Sequence, residues 1–210
     1  MLGIENYWGF VIAGIFLNLT PGADTMYILT RSVAQGRKAG YYSVFGIITG
    51  AMLHTTFAAL GLSVILAKSA MAFTIVKYLG VAYLVYLGIK MIIEKNNVFD
   101  SETHHLGQSS FKKIYRQGIF TNLLNPKVAL FYLAFMPQFI NPDLANGALP
   151  FLLLGLTFMT TGTIWCLFLA YSASFMTKTL RNNDRIGKRM QKLSGMIFIG
   201  LGIKLLIDKR

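Results

Sequence analysis

Two short stretches hold most of the residues that could do chemistry in an otherwise apolar chain. One is Asn18-Leu19-Thr20-Pro21-Gly22-Ala23-Asp24, the other Asn122-Leu123-Leu124-Asn125-Pro126-Lys127. In each, a polar residue precedes a proline inside a long apolar run. Thr20 and Asn125 are of the types that cap a helix N-terminus, and Pro suits the first helical position. Each stretch is therefore expected to be a helix that stops and restarts. A restarting helix offers free N–H groups and the positive end of its dipole, a seat for a carboxylate. Gly22 lets a ligand approach the backbone closely. Asn18, Asn122 and Asn125 supply amide donors and acceptors. Asp24 can receive an ammonium group and Lys127 a carboxylate. Together they suit a zwitterion, its carboxylate at the half-helix N-termini or Lys127 and its ammonium at Asp24. A plainer reading makes Asp24 and Lys127 a structural ion pair and the prolines kinks. That reading leaves unexplained why two breaks carry the same grammar.

The elements that must position these residues are membrane spans. The 210-residue chain is 54% hydrophobic and only 13% charged, with mean hydropathy +0.54; soluble domains average about a quarter charged residues. Charges cluster in residues 31–38, 90–116 and 178–192, with long apolar runs between them. Six spans are expected, at about 7–30, 41–66, 70–93, 117–140, 148–176 and 193–207, each near the roughly 20 residues that cross a bilayer core. The fold class is thus an all-α polytopic membrane protein. The net charge of +12 sits in short loops, without the basic helix or aromatic pattern of a nucleic-acid binder. Membrane topology accounts for it instead. The loops after spans one, three and five carry 14 Lys and Arg, the opposite side 5. The imbalance places those loops in the cytoplasm and both termini outside. Glu5 is the only charge near the N-terminus, which does not read as a cleaved signal peptide.

The halves repeat. Leu87-Gly-Ile-Lys-Met-Ile-Ile-Glu-Lys95 is echoed by Leu201-Gly-Ile-Lys-Leu-Leu-Ile-Asp-Lys209, and Lys77-Tyr-Leu-Gly80 by Lys192-Leu-Ser-Gly195. Pro21 is answered by Pro126 and Tyr27 by Tyr132, both at an offset of 105. Three spans per repeat reverse the orientation of the second, which gives two inverted three-helix repeats, the first helix of each broken at Pro. Paired breaks in inverted repeats point to a transporter's binding site. The boundaries are 1–96 for repeat one, 97–113 for a cytoplasmic linker and 114–210 for repeat two. At 1.5 Å per residue, the breaks lie roughly 15 Å and roughly 14 Å from the basic residues Arg31 and Arg116. Both depths fall near the middle of a core about 30 Å thick.

Other polar residues divide by context. His54 follows Gly46 and Gly50 at a spacing of four. The glycines allow close helix packing, and His54 and Asp24 are the candidates for proton coupling, since an imidazole titrates near pH 6.5; a hydrogen-bonded core histidine is the alternative. Thr55, Thr56, Thr160, Thr161 and Thr163 read as interhelical hydrogen-bonders. His104 and His105, in the linker, lack metal-ligand partners at useful spacing, and no cofactor or metal site is expected. The lone Cys166 excludes an internal disulfide and reads as a small buried residue. Residues 178–192 suit either an interfacial segment against anionic lipid or a plain basic loop.

Several motifs together resemble the RhtB/LysE family of bacterial amino-acid exporters. They are Pro21-Gly22 with Asp24, Gly36-Arg37-Lys38-Ala39-Gly40, Gly46 with Gly50, Tyr83-Leu84-Val85-Tyr86-Leu87-Gly88, Asn122-Leu-Leu-Asn-Pro-Lys127 and Phe135-Met-Pro-Gln-Phe139. The likeness covers nearly the whole chain. Ala23 stands where the family usually has a second proline, which leaves a less rigid turn. The resemblance implies an amino-acid efflux antiporter of the bacterial inner membrane, driven by the proton motive force. Partners would be the amino acid, protons and the lipid bilayer, with a homo-oligomer left open. The competing readings are a metal-cation or small-ion exporter on the same scaffold, a membrane-embedded enzyme and a passive scaffold. A cation cargo needs several carboxylates, thiols or histidines in the membrane, where only Asp24 and His54 stand. An enzyme is disfavoured because neither HExxH nor GxSxG occurs.

Overall fold

Chain runs this apolar can satisfy their backbone in lipid only as helices or closed barrels, and the computed structural model is helical. It describes residues 3–64, 70–93, 108–141, 144 and 147–182, with short pieces between 189 and 207. Helix α1 spans Tyr7–Leu19 and α2 Ala23–Phe57. A π-helical turn, Ala58–Leu62, continues α2. Then come α3 (Ala70–Ile93), α4 (Phe111–Leu123), α5 (Pro126–Leu130) and α6 (Leu149–Asn182). After α5 the coil tightens and loosens in turn, π over Phe131–Phe135 and 3-10 over Met136–Phe139. The expected sixth span lies mostly outside the described residues, as do His104, His105 and most of residues 178–192. The described positions within that span are helical.

Two described helices are long and apolar enough to cross a membrane, Ala23–Leu62 and Leu149–Ala173. Phe111–Leu123 and Pro126–Phe139, bent by 48° at their junction, pass the same test as one broken span. Large apolar side chains such as Leu156, Ile164 and Phe168 of α6 face outward, while Phe151, Leu154 and Phe158 of the same helix are buried. A helix apolar on both faces suits a lipid surround.

Spans one and two are not joined by the expected loop. Helix α2 holds the end of the first span and all but the end of the second, turning at Gly36 (φ 82°, ψ 172°), a conformation that side chains other than Gly's resist. Arg31, assigned above to a basic loop, is buried. Its Nη1 donates to Gln35 Oε1 and its Nη2 to Gln117 Oε1, each at 2.9 Å. Tyr27 Oη donates to the Ile114 carbonyl at 2.7 Å. Around the turn, Arg37 lies 4.5 Å above the Tyr171 ring and Lys38 5.3 Å from Phe111. The basic residues thus stand among the amphipathic rings that favour a membrane interface.

Helices α2 and α4 meet where side chains are absent. A Cβ on Gly46 would strike the Tyr115 carbonyl, and one on Gly118 would come within 2.8 Å of the Ser43 carbonyl. One turn further, a Cβ on Gly50 would lie 2.8 Å from Asn122. The expected role of Gly46 and Gly50 holds, and this approach puts Asn122 against α2.

The apolar core comes in two pieces. One joins Phe10, Leu17, Ala58, Phe131 and Phe158; the other joins Ile28, Leu29, Val44, Ile47, Leu169 and Ala170. Each of α2 and α6 leaves one cluster and enters the other, at residues 47–58 and 158–169 respectively. The level between the clusters is where the polar residues stand.

Candidate functional site

At the first break, α1 ends rather than α2 being capped. Thr20 is the C-terminal cap of α1, and its Oγ1 donates to the Phe16 carbonyl at 2.7 Å. The chain then runs extended through Gly22, the N-cap of α2, where no side chain makes a cap bond. The capping role expected of Thr20 is therefore not the one it plays. The physical reason is the two-residue gap, Pro21 and Gly22, that separates it from the restart. The second break follows the expected pattern. Asn125 Oδ1 accepts from the Lys127 N–H at 3.1 Å, and Pro126 holds the first helical position.

The two breaks touch. Lys127 Nζ donates to the carbonyls of Leu17 at 3.0 Å and Thr20 at 2.9 Å. These carbonyls belong to the last turn of α1, its negative end, and a lysine there is favoured. A Cβ on Gly22 would stand 3.3 Å from this Nζ, so the space at Gly22 is taken up by Lys127. Asn122 Nδ2 donates to Asp24 Oδ2 at 2.8 Å. Asp24 and Lys127 attract each other across the crossing but make no direct salt bridge: the lysine is held by carbonyls and the aspartate by an amide. The structural ion pair weighed from the sequence is not the arrangement found.

Three buried polar atoms around this crossing meet no partner in full hydrogen-bond geometry, Asp24 Oδ1, Asn122 Oδ1 and Asn125 Nδ2, although the Asn125 amide stands near enough to the Asp24 carboxylate to act on it. Such atoms are rare in folded interiors, because each costs about 1–3 kcal/mol. Asn18 Nδ2 reaches across to Thr161 Oγ1 at 3.2 Å. His54 Nε2 lies 3.3 Å from the Asn122 carbonyl, and its ring stacks on Tyr132 at 5.4 Å. A carbonyl only accepts, so this contact puts the ring proton on Nε2 and leaves Nδ1 as the place for a second. Asn122 thus touches both titratable groups, Asp24 through its side-chain amide and His54 through its main-chain carbonyl.

Asp24, Asn18 and Asn122 also line a cavity of about 40 Å³. Its other walls are apolar or small, including Ile47, Val128, Phe158, Met159, Gly162 and Cys166. The α6 wall stands outside the charged motifs because its residues carry no charge. The i, i+4 spacing of Phe158, Gly162 and Cys166, which puts them on one helix face, was the available signal. Among the threonines, Thr55 bonds Tyr132 Oη at 2.9 Å and Thr161 receives Asn18, both as expected. Thr163 lines the cavity. Thr56 and Thr160 are exposed and bond only their own helix, to Met52 and Leu156. Among the described residues neither bonds another helix, so the interhelical role expected of both is corrected.

Broken apolar helices crossing around buried charge define a polytopic membrane protein with a polar centre, the form of a transporter. The chain belongs to the LysE type translocator family, whose model matches residues 15–209. It is accordingly a translocator and not an enzyme. It is 40% identical over 210 residues to the uncharacterized membrane protein YrhP of Bacillus subtilis (strain 168), covering 96% of this chain and 98% of that protein. It is 31% identical over 207 residues to the leucine efflux protein of Enterobacter sp. (strain 638), covering 97% and 96%. The leucine efflux protein of Salmonella typhi is 30% identical over 206 residues, with 97% and 95% covered. No solved structure matches the chain.

Proposed function

We propose that this protein is a secondary exporter of an amino acid with an apolar side chain, binding it where the two broken helices cross and exchanging it for protons. One observation carries the reading: unpartnered carboxylate, amide-oxygen and amide-nitrogen atoms gather beside a lysine at the meeting of two helix ends. A free α-amino acid brings an ammonium group for Asp24 Oδ1 and Asn122 Oδ1. It brings a carboxylate for Asn125 Nδ2 and the Lys127 ammonium. Thr20, Pro21 and Gly22 act through the backbone, holding α1 open at its end, while Pro126 starts α5 against the site. Asn18 borders the same space. The names of the relatives and the apolar cavity walls support a neutral, apolar substrate.

Asp24 carries the exchanged proton, with His54 nearby on the main-chain carbonyl of the same Asn122 whose amide holds the aspartate. The exporter sits in the bacterial inner membrane with both termini outside. Residues 1–96 and 114–210 act as inverted repeats, linked through 97–113. The alternative cargo, a metal cation, finds less support: among the described residues no three His, Cys, Asp or Glu side chains gather. The test is export from proteoliposomes loaded with neutral amino acids under an imposed proton gradient. Gradient-dependent efflux of at least one is expected. No efflux of any, from correctly inserted protein, would refute the reading.

A further inference from the structure

The polar contacts proposed for the substrate account for its α-amino and α-carboxyl groups only. The cavity they line is shared with one face of α6. Phe158, Met159, Gly162 and Cys166 border the cavity together with Ile47 and Val128. Phe158 is pinned on both sides, stacked on Phe131 at 4.3 Å and edge-on to Tyr132 at 5.6 Å, so its ring is a fixed wall. Met159 is adaptable by contrast, with a sulfur that accepts from Thr55 Oγ1 at 3.5 Å. Gly162 sets the clearance between α6 and α1 at the cavity wall, because a Cβ there would stand 3.2 Å from Asn18 Oδ1. The cavity, about 40 Å³, has room for water but not for an amino acid; sites for small organic ligands start at roughly 300 Å³. Admitting a substrate means moving walls apart, and the flexible one is Met159.

We infer that this face of α6 reads the substrate's side chain, with Met159 and Gly162 setting the size of neutral apolar amino acid that is exported. The inference rests on the proposed site. A difference of a methylene in an apolar pocket changes selectivity about 10–200-fold, so shortening Met159 or adding a methyl at Gly162 moves preference rather than activity alone. The experiment measures export of alanine, valine, leucine and phenylalanine as a competing panel in proteoliposomes. Met159→Ala is expected to raise the phenylalanine-to-leucine ratio at least about tenfold, and Gly162→Ala to lower the leucine-to-alanine ratio by a similar factor. Wild-type export with both ratios unmoved overturns the inference and leaves the exporter reading standing. No wild-type export of any member overturns both.

A second measurement needs no variant. Cys166 is the only cysteine of the chain, so its alkylation by N-ethylmaleimide reports on this wall alone. Saturating leucine is expected to slow that alkylation in the native protein at least fivefold, and glycine to slow it less. Alkylation that ignores leucine, or no alkylation at all, means the wall does not meet substrate from the water phase and overturns the inference.

Discussion

Lys127 shows how one side chain can do two jobs. Its ammonium closes the end of α1 through the carbonyls of Leu17 and Thr20, which leaves one N–H for another acceptor. Replacing it with Ala uncaps α1 and removes the cation from the site. Asp24→Asn keeps the bond from Asn122 within reach but removes the charge. Each change is expected to abolish export while the protein still reaches the membrane, since losing one partner of a buried charged contact costs roughly 2–5 kcal/mol, a factor well above tenfold. Transport rates normalised to membrane-inserted protein check this, and normal rates for both variants would end the zwitterion model. His54→Gln can still donate to the Asn122 carbonyl. A proton carrier at this position predicts that the variant keeps transport at one pH but loses the pH dependence of the wild type. The charged and amide residues here were legible in the sequence because carboxylates, lysines and prolines are scarce in apolar runs. What the sequence could not tell was their pairing. Lys127 looked like a partner for Asp24 by charge, whereas a helix end offered it two carbonyls at shorter reach.

At the level of elements, packing depends on missing side chains. Gly46 and Gly118 bring α2 and α4 together, and the approach carries Asn122 to Asp24. Gly118→Val is expected to cost about 1–3 kcal/mol by overpacking, read as a lower melting temperature in detergent, and to weaken transport with it. Gly36→Ala forces a side chain into a backbone region that costs about 1–3 kcal/mol and is expected to destabilise the turn between the first two spans. The breaks at Pro21 and Pro126 were visible from residue type, because proline cannot continue the hydrogen-bond ladder. The joining of spans one and two was not. Arg31 and Arg37 look alike in a sequence, yet one is buried against Gln117 while the other lies on the Tyr171 ring. The π-helical turns at Ala58–Leu62 and Phe131–Phe135 had no signal either, since an extra residue per turn reflects tertiary packing rather than composition.

For the whole molecule, the inverted-repeat proposal makes sense of one asymmetry. At the offset of 105 that relates Pro21 to Pro126, Gly22 answers to Lys127. The two residues are neighbours, so one site can hold a long side chain only if its counterpart holds none. A short epitope at the N-terminus and a reporter domain at the C-terminus are expected to be accessible from outside the cell; a cytoplasmic reading for one terminus would break the inverted arrangement. A last feature bears on how the protein is handled. Near the chain start, Ile4 forms an antiparallel bridge with Ile140, the Glu5 N–H donates to Phe139 at 2.8 Å, and the Asn141 N–H donates to Gly3 at 2.7 Å. Asn141 Nδ2 also reaches Glu5 Oε1 at 2.8 Å. Residues 3–5 are thus stitched to the far end of the second broken helix. A bulky affinity tag ahead of Gly3 would tug on that seam, so purification handles and crystallisation fusions are safer elsewhere.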